Sequence, residues 1–303
     1  MREPIDYARA VAEHEQYEAA LRSLGCRVAR LPDAPDLPDS VFVEDAAVVF
    51  DDVAVIARPG AVSRRPEVEA MAAALAPHRP LARIGAPGTL DGGDVLVTPG
   101  RVFVGISGRT NDEGTRQLRA ILAPHGFEVI AVPVSGCLHL KSAVTVGYMP
   151  PKGGSYMSGS TDFPPKGGSY MSGSTDFPPK GGSYMNGSTD LPPKGGSYRS
   201  GSGGSYTNEK SGRCLLVINP DWVDAARFTD FALIEVDPSE PAAANVLRIG
   251  SRVICAGEHP KTRARLEAAG LRTVPVPAGE LAKAEGGVTC CSVILDRRTT
   301  LGS

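Results

Sequence analysis

Apolar positions along the chain follow two alternating rhythms. Short runs that are wholly apolar or that alternate with polar residues predict strands, and they come in pairs joined by tight polar turns. Each pair precedes a stretch with apolar residues at i, i+3 and i+4, the spacing of a helix, and then one more short apolar run. The unit of strand, turn, strand, helix, strand returns at roughly 40-residue intervals, within the range of repeat architectures.

The first copy reads Ala46–Val49, the turn Asp51–Asp52, Val53–Ala57, a helix near Pro66–Leu75 and Leu81–Ile84. The second reads Asp94–Val97, the turn Pro99–Gly100, Val102–Ile106, a helix Asn111–Leu122 and Glu128–Val132. A third starts at Ser142–Val146, is interrupted, and resumes at Cys214–Ile218, Asp221–Ala226 and Ala232–Val236. The fourth reads Asn245–Ile249, the turn Gly250–Ser251, Arg252–Ala256, a helix His259–Ala269 and Arg272–Pro275. The two ends supply a fifth: Cys291–Leu295, then the helix Ile5–Ser23 and the strand Cys26–Leu31, one strand short of the set. A closed ring of five ββαβ modules is the simplest α/β architecture that uses all of these elements.

The interruption has its own pattern. A 14-residue unit begins at Pro150, Pro164, Pro178 and Pro192, with PPKGGSYMSGSTDF as its first two copies. Residues 150–213 hold 15 of the 35 glycines and 8 of the 26 prolines, so the other 239 residues have ordinary usage of both. A tract this rich in Pro, Gly and Ser cannot bury enough apolar surface to fold alone, and it falls where a hairpin turn is expected. Lengthening a loop costs only about 0.6 kcal/mol per doubling. The expected organisation is one catalytic domain, residues 1–149 with 214–303, carrying a solvent-exposed disordered insertion over 150–213. A sticky Tyr/Met arm that binds a partner is the functional alternative for the tract.

Composition excludes several classes. The chain is 42 % hydrophobic and 22 % charged, with formal charge −2, which makes no electrostatic case for nucleic acid. No apolar run approaches the length of a membrane span, and the charged, helix-patterned N-terminus is unlike an export signal. A cytoplasmic protein with reduced thiols is therefore expected. The six cysteines contain no CxxC pair, which argues against a structural zinc site. The sequence carries no signal of oligomeric state.

Candidate chemistry gathers where the modules begin. Cys290 follows the polar, Gly-bearing stretch Glu285–Thr289, and adjacent cysteines on a strand would face opposite ways. A Cys nucleophile needs a proton shuttle; His139 alone among the five histidines is expected on a strand, although a single His there is ordinarily a structural residue. Acidic patches at Asp39–Asp45 and Asp91–Asp94 hold corresponding positions in their modules, where carboxylates are ordinarily turn formers. Together these groups would line one anionic pocket suited to a cation. Arg64 and Arg109 could pair bidentately with a substrate carboxylate, or simply with surface acids.

Seven strings in this order resemble the dimethylarginine dimethylaminohydrolase family of the pentein, guanidino-modifying superfamily. They are DSVFVEDAAVV (Asp39–Val49), RPGAVSRR (Arg58–Arg65), GTLDGGDVL (Gly88–Leu96), GISGRTN (Gly105–Asn111), LHLKS (Leu138–Ser142), AANVL (Ala243–Leu247) and GGVTCCSV (Gly286–Val293). The resemblance implies a five-bladed α/β propeller and assigns roles. Cys290 would be the nucleophile, His139 the general acid/base, and Asp91 the group that orients it. Asp39, Glu44 and Asp45 would bind the guanidinium, Arg64 and Arg109 the α-carboxylate, and Phe42 would form pocket wall. Lys141 stands where arginine deiminases of the superfamily carry Asp, which leaves room for N-methyl groups. The implied reaction takes methylated arginine to citrulline and the free amine through a Cys-linked S-alkylthiouronium, with no metal or organic cofactor. Relatives begin earlier, with a strand and a closing loop; this chain opens in the helix that follows. A non-catalytic propeller with a binding arm, and a deiminase-like enzyme acting on arginine itself, are the competing expectations.

Overall fold

The computed structural model describes residues 4–148 and 214–295. The chain divides into two units, residues 1–156 with 212–303, and residues 157–211. The second unit lies outside the described residues, as does the expected disorder of the tract over 150–213.

Helix α1 spans Tyr7–Ser23 and is capped by Asp6, whose carboxylate accepts the Arg9 N–H. The first module is β1 (Ala47–Val49), β2 (Ala54–Ile56), α2 (Glu67–Leu75) and β3 (Leu81–Arg83). The second is β4 (Val95–Thr98), β5 (Arg101–Ile106), α3 (Asp112–Leu122) and β6 (Glu128–Pro133). A helical turn, α4 (Leu140–Ala143), then leads into β7 (Val144–Tyr148), followed by β8 (Leu215–Ile218) and β9 (Ala232–Glu235). The fourth module is β10 (Leu247–Ile249), β11 (Arg252–Ala256), α5 (Pro260–Ala268) and β12 (Arg272–Val276), with α6 (Gly279–Lys283) after it.

Each module forms its own three-stranded sheet, in the order β1-β2-β3, β4-β5-β6, β7-β8-β9 and β10-β11-β12. In every one the first pair is antiparallel and the third strand joins parallel to the second. That order follows from the connections, since a tight turn can only reverse the chain while a helical crossover returns it in the same direction. At Pro99–Gly100 the hairpin turn needs a left-handed residue, and Gly100 supplies it with φ 72°. The tract interrupts the β7–β8 hairpin without dissolving it. Val144 pairs with Ile218, Thr145 with Val217 and Val146 with Leu216, before a register shift near Tyr148.

Buried apolar side chains knit each module to the next. Val55 and Ile84 of the first pack with Val102, Leu118 and Leu122 of the second. Phe103 and Val132 of the second pack with Leu216 and Phe228 of the third, and Val217 and Val236 with Val253 and Leu266 of the fourth. Ile254 and Val276 pack with Tyr17 and Leu21 of α1 and with Cys291. Ala54 and Ile56 close onto Leu31, Val293 and Leu295.

Three expectations are corrected. Cys26–Leu31 and Cys291–Leu295 make no ladder among the described residues, so of the fifth module the helix stands and its strands do not. His139 precedes a helical turn rather than lying on a strand. The reason is Asp94, whose carboxylate accepts the Leu140 N–H at 2.9 Å and draws residues 140–143 into one turn. Cys290 and Cys291 also sit in a turn, so their divergence does not come from strand alternation. Among the described residues, no helix is long and apolar enough to cross a membrane.

Phe103 and Phe228 are fully buried with ring centroids 4.9 Å apart across two modules. Phe228→Ala is expected to lower the unfolding free energy by about 3–5 kcal/mol, read from a denaturant titration.

Candidate active site

The first strand of each sheet is approached through a short helical turn. These are Val43–Ala46 before β1, Gly92–Asp94 before β4, α4 before β7 and Pro241–Ala244 before β10. The first packs on the second, the second on α4, and α4 on the fourth. The turn that carries Cys290 joins them, and its carbonyl accepts the Glu44 N–H at 3.0 Å. Side chains at these turns therefore converge although they are far apart in sequence.

His139 is buried between two carboxylates. Its Nε2 lies 3.0 Å from Asp91 Oδ2 and its Nδ1 3.8 Å from Asp45 Oδ1. Asp91 is fully buried and its other oxygen accepts the Gly60 N–H at 2.9 Å. Asp45 accepts the Gly93 N–H at 2.9 Å and pairs with Arg64 Nη1. Burial alone would drive the proton off His139. Asp45, the hydrogen bond to Asp91 and nearby Asp94 outweigh it and hold its pKa up at about 9. Asp45 shows the converse. Burial opposes its charge, but His139, Arg64 and the Gly93 N–H keep its pKa below the usual carboxylate range. Single oxygens of Asp45 and Asp91 and a ring nitrogen of His139 lie within 4.8 Å of one another, a donor set that could hold a metal ion. In the present arrangement the imidazolium is the cation that they share.

A cavity of about 410 Å³, counting its open mouth, is lined by Asp39, Phe42, Asp45, Arg64, Arg109, His139, Cys290 and the loop Ala284–Gly286, with Leu138. Phe42 packs so tightly on the loop that a Cβ on Gly286 would lie 2.3 Å from its ring. Cys290 Sγ accepts the Gly287 N–H at 3.3 Å. Its thiol is pushed up to about 12, first by burial and then by Glu44 and Asp45. Cys291 packs into the core beside Tyr17 and Val276.

The predicted residues divide into three groups. Cys290, His139, Asp45, Asp39, Phe42 and Arg109 face the cavity together. Asp91 stands behind His139, and Glu44 is turned away, one oxygen on Lys141 Nζ and the other accepting the Thr289 hydroxyl at 2.7 Å. The two arginines differ from each other. Arg64 touches the cavity, but its guanidinium is held by Asp45, Glu67 and the Phe42 carbonyl. Arg109 Nη1 is buried without a hydrogen-bond partner, 3.6 Å from Asp91 Oδ2. The Arg109 guanidinium is thus engaged only by a long ion pair, whereas that of Arg64 is fully hydrogen-bonded. Leu138, Ala284 and Glu285 also line the site. Glu285 takes φ 61°, and the polar Gly-bearing stretch before Cys290 was the one sequence signal for it.

A family profile described as N,N dimethylarginine dimethylhydrolase, eukaryotic, matches residues 2–141. An N(G),N(G)-dimethylarginine dimethylaminohydrolase of Pseudomonas aeruginosa is 30 % identical over 290 residues, 95 % of this chain and 89 % of that protein. Its counterpart from Streptomyces coelicolor is 47 % identical over 163 residues, 49 % of this chain and 61 % of that protein. The Pseudomonas enzyme, solved as a cysteine-to-serine mutant complexed with citrulline, superposes with a TM-score of 0.72 at 28 % identity, covering 97 % of this chain and 91 % of that one. The N-terminal domain of a cyanobacterial arginine dihydrolase shares the fold at 15 % identity, with a TM-score of 0.66 over 95 % of this chain and 86 % of that one.

The raised pKa of His139 has a signed consequence. A folded-state pKa above the unfolded value contributes stability below about pH 6.5 that is lost as pH rises through about 9. The stability difference between the wild type and His139→Gln, measured by urea unfolding from pH 6 to 10, is expected to shrink over that interval.

Proposed function

The chain belongs to the dimethylarginine dimethylaminohydrolase family, and on that premise we propose that it hydrolyses Nω,Nω-dimethyl-L-arginine, and its monomethyl counterpart, to L-citrulline and the amine. It is a hydrolase of guanidino C–N bonds. One observation carries the substrate assignment. A cysteine, a protonated histidine and an arginine whose Nη1 makes no hydrogen bond share a cavity whose other ionisable walls include Asp39, Asp45 and Glu285. That charge layout suits a molecule with a cation at one end and a carboxylate at the other.

The steps follow from the side chains. Burial, and after it Glu44 and Asp45, keep the Cys290 thiol protonated. A guanidinium seated against Asp45 and Asp39 brings the positive charge that lowers the thiol pKa, and the thiol proton passes to solvent water as the thiolate forms. Sulfur bonds to the guanidinium carbon while His139, an imidazolium below about pH 9, protonates the departing dimethylamine. The S-alkylthiouronium is then attacked by a water that gives its proton to the neutral His139. The C–S bond breaks and citrulline forms. Asp91 is assigned the orientation of His139, and Arg109 the substrate carboxylate. Arg64, engaged by Asp45 and Glu67, is assigned the fixing of Asp45.

We read the architecture as a closed five-module ring. Five apolar clusters, each shared by successive modules and the last linking the C-terminal stretch to the first, support it. The chain is read as cytoplasmic, a reading supported by six free cysteines. The non-catalytic alternative has no comparable support, because its binding arm lies outside the described residues.

Citrulline release from dimethylarginine is expected for the full chain, with monomethylarginine and arginine as comparison substrates. Cys290→Ser is expected to lose at least about 1,000-fold in kcat. Arg109→Ala is expected to raise KM by about 10- to 100-fold with a smaller change in kcat. Absence of turnover above the Cys290→Ser background would overturn the assignment. Replacing 150–213 by a short Gly-Ser turn is expected to leave kcat/KM within about threefold, since loop length is a weak energetic variable.

A further inference from the structure

Four of the five convergent turns already have a catalytic or binding group. The fourth module's does not, although its turn Pro241–Ala244 packs on α4 like the others. The residue that follows it, Asn245, is largely buried and makes three hydrogen bonds with its side chain. Its Oδ1 accepts the Thr289 N–H at 3.0 Å. Its Nδ2 donates to the Thr289 hydroxyl at 3.0 Å and to the Lys141 carbonyl at 3.1 Å. Thr289 directly precedes Cys290, and Lys141 lies two residues after His139. One carboxamide thus spans the backbone segments that carry the nucleophile and the acid/base.

The contacts close a ring. The Thr289 hydroxyl donates its only proton to Glu44 Oε2 while accepting from Asn245. The other Glu44 oxygen pairs with Lys141 Nζ, and the Lys141 carbonyl returns to Asn245. Four segments remote in sequence meet in it. Their donors and acceptors are matched without a group of the substrate cavity, since none of Glu44, Lys141, Asn245 and Thr289 lines it. The approach is close enough that a Cβ on Gly287 would lie 2.5 Å from the Asn245 side chain. The Thr289 hydroxyl also stands 4.0 Å from Cys290 Sγ, with its proton directed to Glu44 rather than to sulfur.

We propose that Asn245 and Thr289 are positioning residues that set Cys290 against His139, and that Glu44 and Lys141 serve this frame rather than contacting substrate. The proposal rests on the hydrolase reading, because attack on the guanidinium carbon and protonation of the amine must be aligned in one cavity. A misplacement of about 1 Å at such a site can cost about 100-fold in rate.

Steady-state kinetics, thermal midpoint and Cys290 alkylation by a haloacetamidine, an amidinium electrophile, test it on Thr289→Val, Thr289→Ser and Asn245→Leu in the full chain. Thr289→Val keeps side-chain volume and removes the hydroxyl; Thr289→Ser keeps the hydroxyl. The expected result is a kcat about 100-fold lower in Thr289→Val and Asn245→Leu, with KM within about threefold because the cavity wall is untouched. Amidine alkylation should slow in parallel, and Thr289→Ser should restore kcat to within about fivefold. A kcat within about threefold of wild type in whichever of Thr289→Val and Asn245→Leu is folded would overturn the proposal. So would losses that follow the thermal midpoint and are not rescued by Ser. If the wild type releases no citrulline from any of the three substrates, the hydrolase reading fails. The alkylation rates of the same variants then decide the positioning role by themselves.

Discussion

A carboxylate removed from water must have its lone pairs met, and Asp45 satisfies this by recruiting a partner from each of its surroundings. It is 4 % exposed, accepts the Gly93 N–H, pairs with Arg64 and faces the His139 ring. Gly93 belongs to the second module's turn and His139 to the third, so compensating this one charge and seating three modules are the same condition. The condition reaches into local sequence. A Cβ on Gly93 would stand 2.7 Å from both Asp45 Oδ1 and His139 Nδ1, and one on Gly92 would stand 2.0 Å from the Glu44 carbonyl. Two adjacent glycines are what let the second turn touch the first. Arg64 is drawn into the same account, since with Asp45 on one side and Glu67 on the other its guanidinium is already matched. Arg109 differs, since its buried Nη1 has no hydrogen-bond partner.

Much of this was legible in the sequence, and the unread parts have physical reasons. Pairing of apolar runs across short turns gave four modules in the correct order, because a two-residue turn such as Pro99–Gly100 admits only one kind of connection. The strands of the fifth module are over-read because an apolar run signals packing, and Val293 and Leu295 pack, partly buried, against the first module without a ladder. His139 was placed on a strand because nothing in LHLKS announces that Asp94, 45 residues earlier in the chain, captures the Leu140 N–H. The difference between Arg64 and Arg109 was likewise invisible: it depends on Glu67, one turn along, and on which side chain the fold turns inward. Asn245 lies within AANVL, where an uncharged amide carries no local sign of a role. Its place beside the turn that opens the fourth module, as Asp45, Asp91 and His139 lie at the turns of theirs, is the signal that the repeat offers.

On the proposed mechanism, Cys290 is a nucleophile held in reserve. The acids proposed to hold a guanidinium also oppose a thiolate, and with burial as the larger cause they push the Cys290 thiol up to about 12. His139 does not relieve this, because its own proton is held by Asp45 and Asp91 to about pH 9 and its charge is already neutralised by them. Only a cation seated beside the sulfur changes the balance, by compensating the acids and favouring the thiolate in one act. Selectivity therefore comes before any steric discrimination among alkyl groups. On the proposed mechanism a neutral electrophile that reaches Cys290 would meet a thiol, whereas a guanidinium would meet a thiolate that it has itself produced. The carboxylates reduce the standing reactivity of the cysteine, and in return the reactive form exists chiefly when the correct charge is present.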